Sequence, residues 1–434
     1  MSQTTNKNIN IKNDKHHCSL FLINFTCGAA GASFMGVGGM FITAYALFLG
    51  IDASQLGIIS AFCVLTNILQ LFSPYVLSKY HSRKILLIIL LVAKNLSYIP
   101  IIFIPLLGLV QQRFLLLAGF LILSNSFTAI MGGGLIDWND RFVPQKSKGS
   151  YYSNRNMIAN ILGVVNSIII GTILTTFSQK YIMYIAVFAV IVLMATCEIL
   201  VLTSIPAPST LNISRYEFKK MLNPFKDKIF SKYIIFGCIW GFSIQMSQPF
   251  YTIYAITQMN YSYAFIGIVA SIASFAKIFV ARPCGRVGDK FGWSKIFMIA
   301  GSVYPLTILM QAFLTPNTKL LYFIIIFING LSMICINISI FNVPLFLTNT
   351  ENRLIYFAIN ATCSALFSFA GSFVGATLIG KMGDMVIPII NIYSYKLIFV
   401  TTGILGASIA LYFSYNFHKF ESKKAVVAKI SLHE

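Results

Sequence analysis

Long apolar runs bounded by charge, proline or glycine recur along the chain at 19–49, 54–78, 84–107, 114–136, 152–178, 181–204, 232–256, 262–281, 294–314, 319–347, 354–380 and 394–417. A helix needs about 20 apolar residues to cross a hydrocarbon core about 30 Å thick. The pattern therefore predicts twelve transmembrane helices and an all-α, polytopic protein. The first 17 residues are polar and basic, and the run after them is too long for a signal-peptide core, so it reads as a retained first span. The longest polar connection, 205–231, starts at Pro206-Ala207-Pro208 and includes a short amphipathic stretch from Arg215 to Leu222. It divides the chain into a tail (1–18), a first six-helix half (19–204), a linker (205–231), a second six-helix half (232–417) and a second tail (418–434).

The halves repeat each other. Phe41-Ile42-Thr43-Ala44-Tyr45-Ala46 in the first run matches Phe250-Tyr251-Thr252-Ile253-Tyr254-Ala255 in the seventh, and the next runs carry Gly57-Ile58 and Gly267-Ile268. Tyr152, Asn156, Ser167 and Gly171 match Tyr356, Asn360, Gly371 and Gly375 at one constant offset. Gene duplication is the simplest source of such a pattern.

Composition and charge sharpen the picture. Of 434 residues, 57% are hydrophobic and 10% charged, against about 25% charged in soluble domains. The net charge of +20 would suggest nucleic acid in a soluble protein. Here twenty-five of the 32 Lys and Arg fall in segments on one side of the predicted membrane, five fall on the other, and Lys94 and Lys277 lie within runs. The positive-inside rule then places both termini in the cytoplasm, and no nucleic-acid partner is expected. The eight cysteines have no paired spacing, and all five histidines lie in tails or loops. Neither a disulfide framework, a metal site nor a buried histidine relay is expected. No phosphate-binding loop or nucleophile elbow occurs, so the reading is of a non-enzyme without cofactors.

After the eighth run the chain reads Gly285-Arg286-Val287-Gly288-Asp289-Lys290-Phe291-Gly292-Trp293-Ser294-Lys295. This resembles the signature of the major facilitator superfamily between spans 8 and 9. Glycines there are expected to permit a tight turn, and Asp289 and the basic residues to make charge-assisted contacts with helix ends, so that Gly285, Arg286, Gly288, Asp289, Lys290 and Gly292 form a conformational latch. The first-half equivalent, Ser78-Lys79-Tyr80-His81-Ser82-Arg83-Lys84, keeps the basic residues and lacks the glycines and the aspartate. The loop from Pro144 to Arg155 resembles a pattern found in a bacterial subgroup, with Lys148 in place of Arg, and Asn352-Arg353 with Tyr356 is its second-half counterpart. The resemblance implies two six-helix bundles that rock about a central cavity and move a small solute by secondary active or facilitative transport, with a coupling proton or sodium ion as an open question. It also implies a multi-pass, monomeric protein of the cell membrane. A non-transporting receptor or assembly factor with the same fold is the alternative.

An ionisable residue within a span costs about 2.5–3.5 kcal/mol or more if exposed to lipid, so each is a functional candidate. Lys94, Glu198 and Lys277 are the clear cases. The resemblance puts spans 3 and 6 outside the cavity, which implies that Lys94 and Glu198 neutralise each other; a coupling or cargo role is the other reading. Lys277 reads equally as a ligand for anionic cargo or as a snorkelling side chain. Gln245, Gln248 and Thr252 recur at i, i+3 and i+7 on one helix face beside Pro249. The resemblance implies that runs 1 and 7 flank the central cavity, so with Tyr45 and Tyr254 these residues form the candidate substrate cavity, unless they serve to bond neighbouring helices. Asn95, Asn125, Asn329 and Asn337 are weaker candidates of the same kind.

Overall fold

The structure is a computed structural model that describes residues 2–80, 82–107, 109–143, 148–207, 223–347, 353–382 and 394–430. The amphipathic stretch expected at 215–222 lies outside these residues, as do the side chains of Tyr152, Asp289 and Arg353. Sixteen α-helices follow in order among the described residues: α1 (Ser2–Met35), α2 (Met40–Phe48), α3 (Ala53–Leu65), α4 (Ser73–Lys79), α5 (Arg83–Leu96), α6 (Val110–Phe142), α7 (Lys148–Phe177), α8 (Tyr181–Ser204), α9 (Asn223–Lys226), α10 (Lys228–Gln245), α11 (Tyr251–Thr257), α12 (Tyr263–Phe291), α13 (Trp293–Gln311), α14 (Lys319–Leu347), α15 (Arg353–Met382) and α16 (Ser394–Ile430). Short 3-10 stretches at Thr66–Phe72, Ile99–Leu106 and Gln248–Phe250 interrupt the second, third and seventh spans. Twelve helical segments among the described residues are long and apolar enough to cross a membrane. The protein is an all-helical, multi-pass membrane protein.

The chain divides into two compact units. Unit 1 is Met1–Asp52 with Thr66–Tyr216, and unit 2 is Ala53–Leu65 with Glu217–Glu434.

In unit 1, α5 shows how the sequence selects its faces. Leu87, Leu90 and Leu91 recur at helical spacing and are buried, while Ile85, Ile89 and Leu96 point outward and are more than half exposed. Outward isoleucine and leucine are what a lipid-facing surface requires. The buried leucines join Phe21, Met131, Trp138 and Leu202 in one apolar cluster. Lys84 secures the end of α8, its Nζ donating to the carbonyls of Thr203 (2.7 Å) and Ile205 (2.6 Å). A cation there satisfies carbonyls that the helix end leaves without partners. The Trp138 indole donates to the Pro206 carbonyl at 3.0 Å.

In unit 2, α13 packs against α14 and α16, and α10 against α15. Asp227 caps α10, its carboxylate accepting from the amides of Ile229 (2.9 Å) and Phe230 (3.1 Å). The crossing of α10 and α15 is tight enough that a Cβ on Gly371 would overlap the Phe242 backbone.

Two expectations need correction. The eighth run was expected to end at 281, before a glycine-rich turn; instead α12 continues as helix to Phe291, because charged residues support a helix that has left the apolar layer. Gly292 alone, at φ 94°, makes the turn into α13, while Gly288 leaves room for the Trp293 ring. The first run was expected to be continuous, yet it breaks between α1 and α2 at Gly36–Gly39, where Gly38 adopts φ 82°.

Candidate functional site

Lys94 on α5 and Glu198 on α8 meet inside unit 1. Their side chains are 10% and 9% exposed, and Lys94 Nζ donates to Glu198 Oε2 at 3.0 Å and to Oε1 at 3.3 Å. Asn95 Nδ2 donates to Oε2 at 3.2 Å, and Asn24 Nδ2 on α1 donates to the Glu198 carbonyl at 2.7 Å. A buried ion pair recovers its desolvation cost only when further hydrogen bonds complete its geometry; Asn95 supplies one to the carboxylate, while Asn24 fixes the stretch of α8 backbone that carries it. Gly28 completes the fit: a Cβ there would overlap Glu198 Oε1, so the carboxylate occupies space left by the missing side chain.

The pair borders a cavity of about 660 Å³ that lies wholly within unit 1. Small residues of α1 (Gly28, Gly31, Ala32, Ser33) form one wall, and Thr128, Asn139 and Arg155 add polar groups from α6 and α7. Arg155 lies over the Phe25 ring at 4.0 Å. The Tyr151 hydroxyl is placed to donate to Asn139 Oδ1 (3.0 Å) or the Cys18 carbonyl (3.2 Å). Burial pushes its phenol above the ordinary value, so it stays neutral and remains a donor.

The α1/α2 break follows the small-residue wall directly. Its repeat mate, in unit 2, is the break between α10 and α11, where Pro249 enters a 3-10 turn. Interrupted helices at matching positions of two halves mark solute sites in transporters.

A family model described as Major Facilitator Superfamily matches residues 20–372. The chain belongs to the major facilitator superfamily. Its fold is similar to the nucleoside transporter NupG (15% identity, covering 93% of this chain and 99% of that one, TM-score 0.65) and to a D-xylose-proton symporter (15% identity, 91% and 95%, TM-score 0.67). It is also similar to a bacterial homologue of the human lysosomal transporter Spinster in an inward-facing, unoccupied conformation (13% identity, 94% and 98%, TM-score 0.64). No curated protein matches the chain in sequence. The protein is thus a membrane transporter of the superfamily fold.

The other sequence-derived candidates scatter over this superfamily fold. Tyr45 is buried in unit 1 and donates to the Ile101 carbonyl at 2.7 Å, among the rings of Phe41, Phe48, Tyr184 and Phe188. Tyr254 is buried in unit 2 against Tyr395 and Phe399, and its hydroxyl has no hydrogen-bond partner among the described residues. Gln245, Gln248 and Thr252 do not share one continuous helix face, because α10 ends at Gln245 and the 3-10 turn intervenes. The reason is Pro249, whose missing N–H and ring interrupt the helix. Lys277 runs its half-buried stem along α14 at Gly330. Arg286 and Lys290 are exposed on the last turns of α12. Among the described residues no three His, Cys, Asp or Glu gather as a metal site would require.

The sequence reading missed Asn24, Gly28 as a seat for Glu198, and Asn139 with Arg155. Asn24 was legible in principle, since it stands four residues before Gly28 and eight before Ala32 on one helical stripe. Arg155 stood out only as the last residue of the loop pattern that begins at Pro144, and Asn139 gave no signal, because each stands near a predicted loop.

Proposed function

We propose that this chain is a secondary active or facilitative transporter that moves a small solute by alternating access of two six-helix bundles joined by the 205–231 linker. The observation that carries the reading is the polar cavity of about 660 Å³ beside the first interrupted span. Its volume lies within the range of about 300–1,000 Å³ usual for small-molecule sites. In this reading the solute sits against the Lys94–Glu198 wall, and Asn24 and Asn95 hold that wall in place. Glu198 is also the embedded carboxylate best placed to carry a coupling proton, a driver suggested by the D-xylose-proton symporter of similar fold. A sodium gradient is the competing driver. The protein works as a monomer in the cell membrane with both termini in the cytoplasm, and Gly285 to Gly292, Asp289 included, latch the cytoplasmic side.

Purified protein in proteoliposomes, offered nucleosides, sugars and peptides under imposed proton or sodium gradients, tests the reading. Saturable flux of one solute class is the expected result. No flux across the panel, together with tight binding to a protein partner, would favour the receptor alternative. Asp289→Ala should lower flux while leaving expression largely intact, and wild-type flux in that variant would remove the latch.

A further inference from the structure

Sequence spacing gives no hint of cysteine pairing, yet in unit 2 the fold brings four cysteines together two by two. Cys238 on α10 and Cys363 on α15 lie within side-chain hydrogen-bonding reach of each other. The same is true of Cys284 on α12 and Cys335 on α14. Each pair joins a buried thiol, 6% exposed at both Cys238 and Cys284, to a partly exposed one at Cys363 or Cys335. The backbones run close at both crossings. A Cβ on Gly237 would come within 2.8 Å of Ser364 Oγ, beside the first pair, and one on Gly330 would come within 3.2 Å of Ala273 Cβ, along the helices that carry the second.

The two crossings involve four different spans. They join spans 7 and 11 and spans 8 and 10. Each half of this superfamily is built of two inverted triplets, so span 7 corresponds to 10 and span 8 to 11. Exchanging the triplets turns one helix pair into the other. Each thiol pair has one shielded and one reachable sulfur.

We propose that Cys238–Cys363 and Cys284–Cys335 are two dithiol modification sites that close into intramolecular disulfides on reaction with a small uncharged peroxide. The reachable thiol attacks one oxygen of hydrogen peroxide and gives up its proton, yielding a sulfenic acid and water. The buried sulfur then attacks the sulfenic sulfur, forming the S–S bond and expelling the hydroxyl group. Each pair loses two protons and two electrons, and one peroxide becomes two waters. A partner already in contact outcompetes a second peroxide molecule, so the reaction stops at the disulfide. The bonds tie α10 to α15 and α12 to α14, which holds unit 2 in a single packing arrangement and restricts its unfolded chain.

The test uses the full-length protein in detergent, titrated with hydrogen peroxide, alkylated, digested without reductant and mapped by mass spectrometry, with melting temperatures taken before and after. Peptides joining Cys238 to Cys363 and Cys284 to Cys335 are expected, with a rise in melting temperature that dithiothreitol reverses. Cys18, whose thiol donates to the Phe142 carbonyl at 3.2 Å, should stay out of both links. Cys363→Ser should remove the first link and keep the second, and that surviving link reports that the variant is folded; Cys335→Ser should do the reverse. Sulfinic acids on single cysteines, links scrambled among all eight, or no reaction at peroxide levels that oxidise free cysteine would each overturn the proposal.

Discussion

The first and seventh spans carry the same Phe-x-Thr-x-Tyr-Ala sequence and both break just before it, but they break by opposite means. In unit 1 the break is made by glycine freedom, with Gly38 at φ 82°. In unit 2 it is made by Pro249, which removes a backbone donor. The tyrosines that follow differ as well. Tyr45 bonds the Ile101 carbonyl, whereas the Tyr254 hydroxyl has no partner among the described residues. The surroundings diverge further. Unit 1 places an ion pair and a cavity beside its break, while unit 2 places an uncharged network there: Ser247 with Tyr251 (2.9 Å), Tyr251 with Tyr304, Tyr304 with Asn329, and Asn329 with Thr307 (3.0 Å). Duplication kept the backbone interruption and left the polar chemistry free to specialise, with the Lys94–Glu198 pair in unit 1 and a hydroxyl and amide network in unit 2.

The strongest way to break this comparison is to remove charge from unit 1. Glu198→Ala should destabilise the protein by about 3–5 kcal/mol, because Lys94 would stay buried without its counter-charge. Unfolding in mixed detergent would read this, and a double-mutant cycle with Lys94→Ala should show strong coupling; additive losses would deny the pair its energetic link. Gly28→Ala should cost about 1–3 kcal/mol by forcing the carboxylate off its seat, with a loss that shrinks when Glu198 is already absent. Tyr45→Phe should cost about 1 kcal/mol for its lost hydrogen bond. The smallest effect belongs to its repeat mate: Tyr254→Phe should stay within about 0.5 kcal/mol of wild type or gain stability, since it removes a buried hydroxyl that bonds nothing among the described residues. Equal losses at both tyrosines would erase the distinction between the two breaks.

Much of the fold was legible. Apolar runs of spanning length announced the twelve membrane helices because a bilayer requires every span to satisfy its backbone internally and to face lipid with apolar side chains. The glycine-rich signature named the family correctly, but its backbone was misjudged. Charge after Arg282 looked like the end of a helix, whereas polar residues extend a helix readily once it is clear of lipid. The site was legible in part. Lys94 continues the leucine stripe of α5 at positions 87 and 91, so its inward direction could be read from periodicity. Gln245, Gln248 and Thr252 were assigned one face on the same logic, and Pro249 defeated it.

Sequence by itself determined how many times the chain crosses the membrane, the family it belongs to and the twofold internal repeat, because these depend on local periodicity and on residues close together in the chain. Only the tertiary structure decided that Lys94 meets Glu198 across 104 residues, that Gly28 gives the carboxylate its space, that a cavity opens beside them, and that scattered cysteines become two pairs. Those facts depend on which helices become neighbours and how closely they approach, and no single segment of the sequence carries that information.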